Sequence, residues 1–184
     1  VCEGQQYDMD FETQPKVAVA EYMNMIEQKT AALLAGSVVI GATIAGASAD
    51  DIQKLNRFAT EVGIAFQLQD DLLDSYGDEQ LGKKIGGDIL EGKKTYLMII
   101  SLSHATEPQR EVLRKTHLRT DIDDEQKIAA VKEVYDAIGA RAMTEQQITV
   151  RISRALAILD TLDVPKHRTE HMRAYVESLV GRKK

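Results

Sequence analysis

Three aspartates within five residues, Asp70, Asp71 and Asp74 in the stretch FQLQDDLLD, are the side chains of this 184-residue sequence best spaced for chemistry. Carboxylates one helical turn apart suit a hard cation such as Mg²⁺, which keeps most of its waters and shares its other positions with substrate phosphates. No Lys or Arg stands three or four residues to either side of them, so their mutual repulsion is not offset locally. Just downstream, GDEQLGKKIGGDILEGK (residues 77–93) sets Lys83, Lys84 and Lys93 among five glycines. That composition predicts a mobile loop whose lysines reach phosphate oxygens. A solvated helix face accounts for a bare DDxxD. Metal plus diphosphate accounts for the aspartates and the lysines together.

A helix must carry the aspartates. On a wheel of about 100° per residue, Phe58, Val62, Ala65, Phe66, Leu72 and Leu73 share one face of a helix over residues 49–76. Gln67, Asp70 and Asp74 lie on the other side, within about 60° of one another, and Asp71 flanks them. Gly63 and Thr60 stand beside this polar stripe, small residues that leave room for a ligand.

Helical spacing recurs elsewhere, and no strand-like alternation or hairpin signal appears. It is visible over residues 17–29, in a small-residue helix over 33–45 suited to close packing, over 94–103 and over 109–117. Ser48 or Asp50 caps the long helix, and Asp121 or Asp123 starts another that Gly139 interrupts. Pro165 opens a last helix to about Val180, before the basic end Arg182-Lys183-Lys184. The expectation is an all-α chain, one helical bundle over residues 1–184.

Composition sets the outer limits. At 43% hydrophobic and 28% charged the chain is ordinary for a globular protein. A net charge of −6 argues against nucleic acid as a partner. No apolar run reaches the 18 or so residues of a membrane span, and residues 1–12 have no signal-peptide core. Cys2 is the only cysteine, so an intramolecular disulfide is ruled out and a reducing cytoplasm is the expected compartment. The sequence opens on Val1 with no lead-in, as a piece of a longer protein would.

At this level the motifs resemble those of a known family. FQLQDDLLD resembles the second aspartate-rich motif of the trans-type isoprenyl diphosphate synthases, the farnesyl and geranylgeranyl diphosphate synthase family. Three further blocks agree in order. Gly4, Gln5 and Asp8 resemble its GQxxD segment, Lys29-Thr30 its Lys-Thr pair where a helix bends, and GKKIGGDILEGKKTY its lysine loop. Four blocks in register over roughly half the chain are specific where a lone DDxxD is weak.

The resemblance implies an isoprenoid-synthase-like helical bundle around a central cavity, and a homodimer. It implies Mg²⁺-dependent condensation of isopentenyl diphosphate with an allylic diphosphate, with three Mg²⁺ ions in the complete site. Carried onto this sequence, Asp70 would ligate Mg²⁺ directly, with Asp71 and Asp74 acting directly or through water. Lys29, Lys84 and Lys93 would hold the allylic diphosphate, Lys83 being an alternative to Lys84. Thr30, Gln67 and Gln5 would lie near the reacting carbons, and Asp88 would order the loop.

One departure is large. The family's first aspartate-rich motif and its isopentenyl diphosphate residues precede GQxxD, which places residues 1–184 as the C-terminal part of a single synthase domain. DIDDE (residues 121–125) reads as a helix cap, and His167 and His171 as a surface pair without a third metal ligand. Two other readings stand beside the synthase: a class I terpene cyclase, and a non-catalytic helical subunit that kept the fold. The lysine loop and the Lys-Thr pair argue against the cyclase.

Overall fold

The computed structural model describes residues 1–77 and 85–180. Its secondary structure is helical throughout, with no strand among the described residues. Helices α1 (Cys2–Thr13) and α2 (Val19–Ile26) come first, and a π-helical turn (Glu27–Ala31) joins α2 to α3 (Ala32–Ile44). The long α4 (Ala49–Tyr76) carries the aspartates. It is followed by α5 (Gly87–Glu91), α6 (Tyr96–His104), α7 (Glu107–Lys115), α8 (Asp124–Ile138), α9 (Ala140–Leu159) and α10 (Glu170–Val180).

Helix ends follow their capping chemistry. The Ser48 hydroxyl accepts from the Asp51 N–H at 3.1 Å and donates to the Asp51 carboxylate at 2.9 Å, which starts α4. Asp123 starts α8 through a reciprocal box with Gln126: its carboxylate accepts from the Gln126 N–H at 2.8 Å. Gly139, at φ 78, ends α8 in the left-handed conformation that Gly adopts without strain. Of the two alternatives at each start, Ser48 and Asp123 are the residues used.

The chain divides into two compact units. One holds residues 1–7, 23–67 and 146–180. Its core is built by Met25, Ile26, Phe58, Val62, Ala65, Ile148, Ile152 and Val176, all nearly inaccessible. A half-buried ion pair joins two of its helices, the Arg151 guanidinium lying 3.0 Å from the Glu61 carboxylate. The other unit holds residues 8–22 and 68–145. There α8 packs on α5, α6 and α7 over a core that includes Tyr22, Leu68, Leu97, Leu113, Val131 and Tyr135.

Two expectations about faces need correction. Phe58, Val62, Ala65 and Leu72 of the apolar arc are buried as expected, but Phe66 is 37% exposed, whereas Leu68, outside the arc, is fully buried. From Val62 to Ala65 four successive residues are buried, because neighbours surround that turn on all sides. A wheel built on residue type cannot register neighbours that are small.

Helix α3 shows the opposite pattern. Ala35 is its one buried residue, while Leu33, Ile40 and Ile44 are 67%, 61% and 82% exposed. Such a patch drives association. The 184-residue chain is expected to self-associate at micromolar concentration in analytical ultracentrifugation. A monodisperse monomer would overturn that expectation.

Candidate active site

Within the first unit, the Lys29-Thr30 pair sits on the π turn. A π turn spreads five residues where an α turn uses fewer, shifting the register of side chains on either side. This is the physical form of the bend expected there. Two glycines hold the turn by letting backbones touch. A Cβ on Gly4 of α1 would stand 2.3 Å from the Lys29 nitrogen, and one on Gly63 of α4 would stand 2.5 Å from the Ala31 Cα. Gly63 is thus buried against Ala31, and the room read beside the polar stripe is taken by protein. Close to that contact, the Thr30 hydroxyl donates to Gln67 Oε1 at 2.7 Å. Thirty-seven residues apart in sequence, these two predicted site residues are locked to each other. Gln5 is exposed one residue after Gly4, and Lys29 is half-buried.

Within the second unit, the three aspartates have three different environments. Asp70 is exposed. Asp71 is buried at 6% exposure, and its carboxylate accepts a short hydrogen bond from the Tyr22 hydroxyl. Burial first, and the Asp71 charge second, push the Tyr22 phenol well above its usual pKa, so it stays a proton donor. Asp74 is half-buried and accepts from the Asp88 N–H at 3.0 Å. Burial, then the nearby Asp88 charge, raises the Asp74 carboxyl above the usual carboxylate range. A cation at Asp74 therefore competes with protons, and its affinity should fall as pH drops through that raised value.

Residues 85–93 hold more regular structure than their glycines suggest. Residues 87–91 form α5, bracketed by Gly86 at φ 82 and Gly92 at φ 67. The Gly86 N–H donates to the Asp74 carbonyl at 2.6 Å, so α5 is tied to the aspartate helix through both backbone and side chain. Asp88 orders this piece, as expected of it: its carboxylate accepts from Lys93 Nζ at 2.9 Å. Glu91 lies 2.9 Å from the same ammonium. Burial alone would lower the Lys93 pKa, but these two carboxylates carry it above its ordinary value. Lys83 and Lys84 lie outside the described residues.

Asp70 and Asp74 are the motif aspartates that are not buried, four residues apart on α4. Two carboxylates on one helix face are the set that Mg²⁺ accepts when phosphates and waters fill its other positions. The donor chemistry fits that ion.

Tyr22 escapes a reading by motif. It is 49 residues from Asp71, and nothing in its spacing marks it. Gly4 and Gly63 act through what they lack. Tyr22→Phe removes one donor from a buried carboxylate, a loss of about 1.5–3 kcal/mol for a bond to a charged group. At this chain length the melting temperature should fall by about 3–12 °C. An unchanged melting curve would show that the bond carries no net stability.

The fold is the all-α isoprenoid-synthase fold. A crystal structure of a geranylgeranyl pyrophosphate synthase matches all of the chain and 57% of its own length, with a TM-score of 0.90 and 35% identity. The polyprenyl synthetase family model matches residues 1–138, so the chain belongs to that family. A short chain isoprenyl diphosphate synthase of Methanothermobacter thermautotrophicus is 38% identical over 165 residues, 89% of this chain and 49% of that protein. A geranylgeranyl diphosphate synthase of Sulfolobus acidocaldarius is 45% identical over 116 residues, 62% of this chain and 35% of that protein. The chain spans at most about half the length of these curated relatives.

Proposed function

We propose that the full-length parent elongates prenyl chains by condensing isopentenyl diphosphate with an allylic diphosphate, and that residues 1–184 are the C-terminal part of its single synthase domain. The observation that carries this reading is the family match over residues 1–138, which takes in all four motif blocks. The named relatives are diphosphate synthases and not cyclases, which favours elongation over the cyclase reading.

In this proposal Asp70 and Asp74, with Asp71 through water, would hold Mg²⁺, three ions in the complete site, which would supply positive charge to the leaving diphosphate. Asp71, buried on Tyr22, sets the helix face from which its neighbours act. Lys29 and Lys93, with Lys84, donate to diphosphate oxygens as the allylic C–O bond breaks and its electron pair leaves with the diphosphate. The isopentenyl double bond then forms the new C–C bond, and a proton is lost. Thr30 and Gln67, fixed by their mutual hydrogen bond, line the reacting carbons with Gln5. Lys93 must exchange Asp88 and Glu91 for phosphate, a swap between charge-assisted bonds that leaves its positive charge paired throughout. A homodimer in a reducing cytoplasm completes the reading. The described residues contain no helix long and apolar enough to cross a membrane.

Incorporation of labelled isopentenyl diphosphate by the full-length protein, with Mg²⁺ and an allylic diphosphate, tests the activity. No incorporation with any allylic primer sinks it. The 184 residues alone are expected to be inactive. In the full-length protein, Lys93→Ala should weaken allylic diphosphate binding by about 10- to 100-fold, the worth of one charge-assisted bond. The ligand-free melting temperature should hardly move, because the half-exposed ion pairs of Lys93 contribute little.

A further inference from the structure

In the second unit a cavity of about 520 Å³ opens between the end of α1 and helices α6 and α7. None of the proposed synthase residues lines it. Its polar lining is Thr13, Gln14, Lys16, Lys94, Arg114 and His117, three of them cations, with one carboxylate, Glu12. Met98, Leu102, Leu113 and Leu118 supply an apolar wall. The volume is that of a small-molecule site, apolar with a few convergent polar groups.

Lys94 is half-buried, and its ammonium donates only to the Gly92 carbonyl, at 3.3 Å, with no ion pair to a described residue. Burial lowers its pKa, and no neighbouring charge offsets that shift. The Nδ1 of His117 is buried and has no hydrogen-bond partner among the described residues. Burial, and then Lys94 and Lys127, lower the His117 pKa, so positive charges crowd the ring. A half-buried ammonium held by a single carbonyl is a group that an anion would relieve. The His117 ring cannot easily turn away, because Gly92 packs against it so closely that a Cβ there would stand 2.8 Å from its Cδ2.

We propose that this cavity binds an amphiphilic anion, a phosphate or diphosphate monoester with an apolar chain. Lys94 and Arg114 take the anionic group, and the chain lies along Met98, Leu102, Leu113 and Leu118. The inference does not depend on the proposed synthase activity. It does set the site one residue from Lys93.

The test uses equilibrium dialysis of the chain against octyl phosphate and inorganic phosphate, with EDTA present so that no metal bridges phosphate to Asp70 or Asp74. Octyl phosphate is expected to bind at one site per chain, at least about tenfold tighter than inorganic phosphate, since buried methylenes add affinity. Arg114→Ala and Lys94→Ala should each weaken it about tenfold or more. Arg114 is exposed, so its variant keeps the fold. Lys93→Ala and Asp70→Ala should leave it unchanged. Equal affinity for the two phosphates, no binding in EDTA, or binding that survives Arg114→Ala but is lost in Lys93→Ala would overturn the proposal.

Discussion

Asp70→Ala in the full-length protein is expected to lower turnover by about a thousandfold or more, with the fold intact. The two halves of that outcome come from different physics. Asp70 is exposed, so little packing is lost with its side chain. Alanine is the better helix former by several tenths of a kcal/mol, so α4 should be held or slightly strengthened. The loss falls on charge. Removing one group that stabilises a leaving anion typically costs about 10²–10³ in rate, and a lost metal ligand removes a larger centre of charge than one donor does. Asp71→Ala should behave differently, leaving Tyr22 without its acceptor in a buried place, so stability should drop along with activity. Near-normal turnover of Asp70→Ala at saturating Mg²⁺ would return the aspartates to the status of a solvated helix face.

The contrast between Asp70 and Asp71 marks how far the sequence could be read. On the wheel they differ only in that Asp70 shares the polar stripe with Gln67 and Asp74 while Asp71 flanks it. What separates them is Tyr22, brought to Asp71 from 49 residues away. Local signals were legible. Ser48, Asp123 and Gly139 each act on residues within one turn, and each places a helix end where its chemistry requires. The span of α4 followed from its apolar period, and the family from four short blocks in order. Partners distant in sequence were not legible. Phe66 reads as core by type, yet is exposed, because which side of α4 is covered depends on what packs there. The glycines of residues 86–92 read as loop. Two of them instead take positive φ and bracket α5, whose anchor is the Asp74 carboxylate on the preceding helix.

The second large effect should come from a methyl group. Gly63→Ala places a Cβ 2.5 Å from the Ala31 Cα and 2.6 Å from its Cβ, where ordinary contact begins near 3.4 Å. By helix propensity alone the change would stabilise α4 by about 1 kcal/mol. Overpacking against backbone opposes it with about 1–3 kcal/mol, because neither neighbour is the flexible end of a side chain. Packing should win, and the chain should lose stability. The activity effect should be greater than the stability effect. Relieving the clash means parting α4 from the π turn by roughly 1 Å, and the Thr30–Gln67 hydrogen bond of 2.7 Å spans that same junction. A displacement of about 1 Å at positioning residues can cost about 100-fold in rate. Gly4→Ala, with its Cβ 2.3 Å from the Lys29 nitrogen, should act on the same turn from α1. Gly36 of α3 is the control, since an added methyl there would have nothing within 4 Å, so Gly36→Ala in the 184-residue chain should collect only the propensity gain. Denaturant unfolding of the variants in this chain, with turnover measured in the full-length protein, separates the outcomes. If Gly63→Ala is stabilised as much as Gly36→Ala and turns over normally, the π turn is not held by these glycines, and the placing of Lys29 and Thr30 needs another cause.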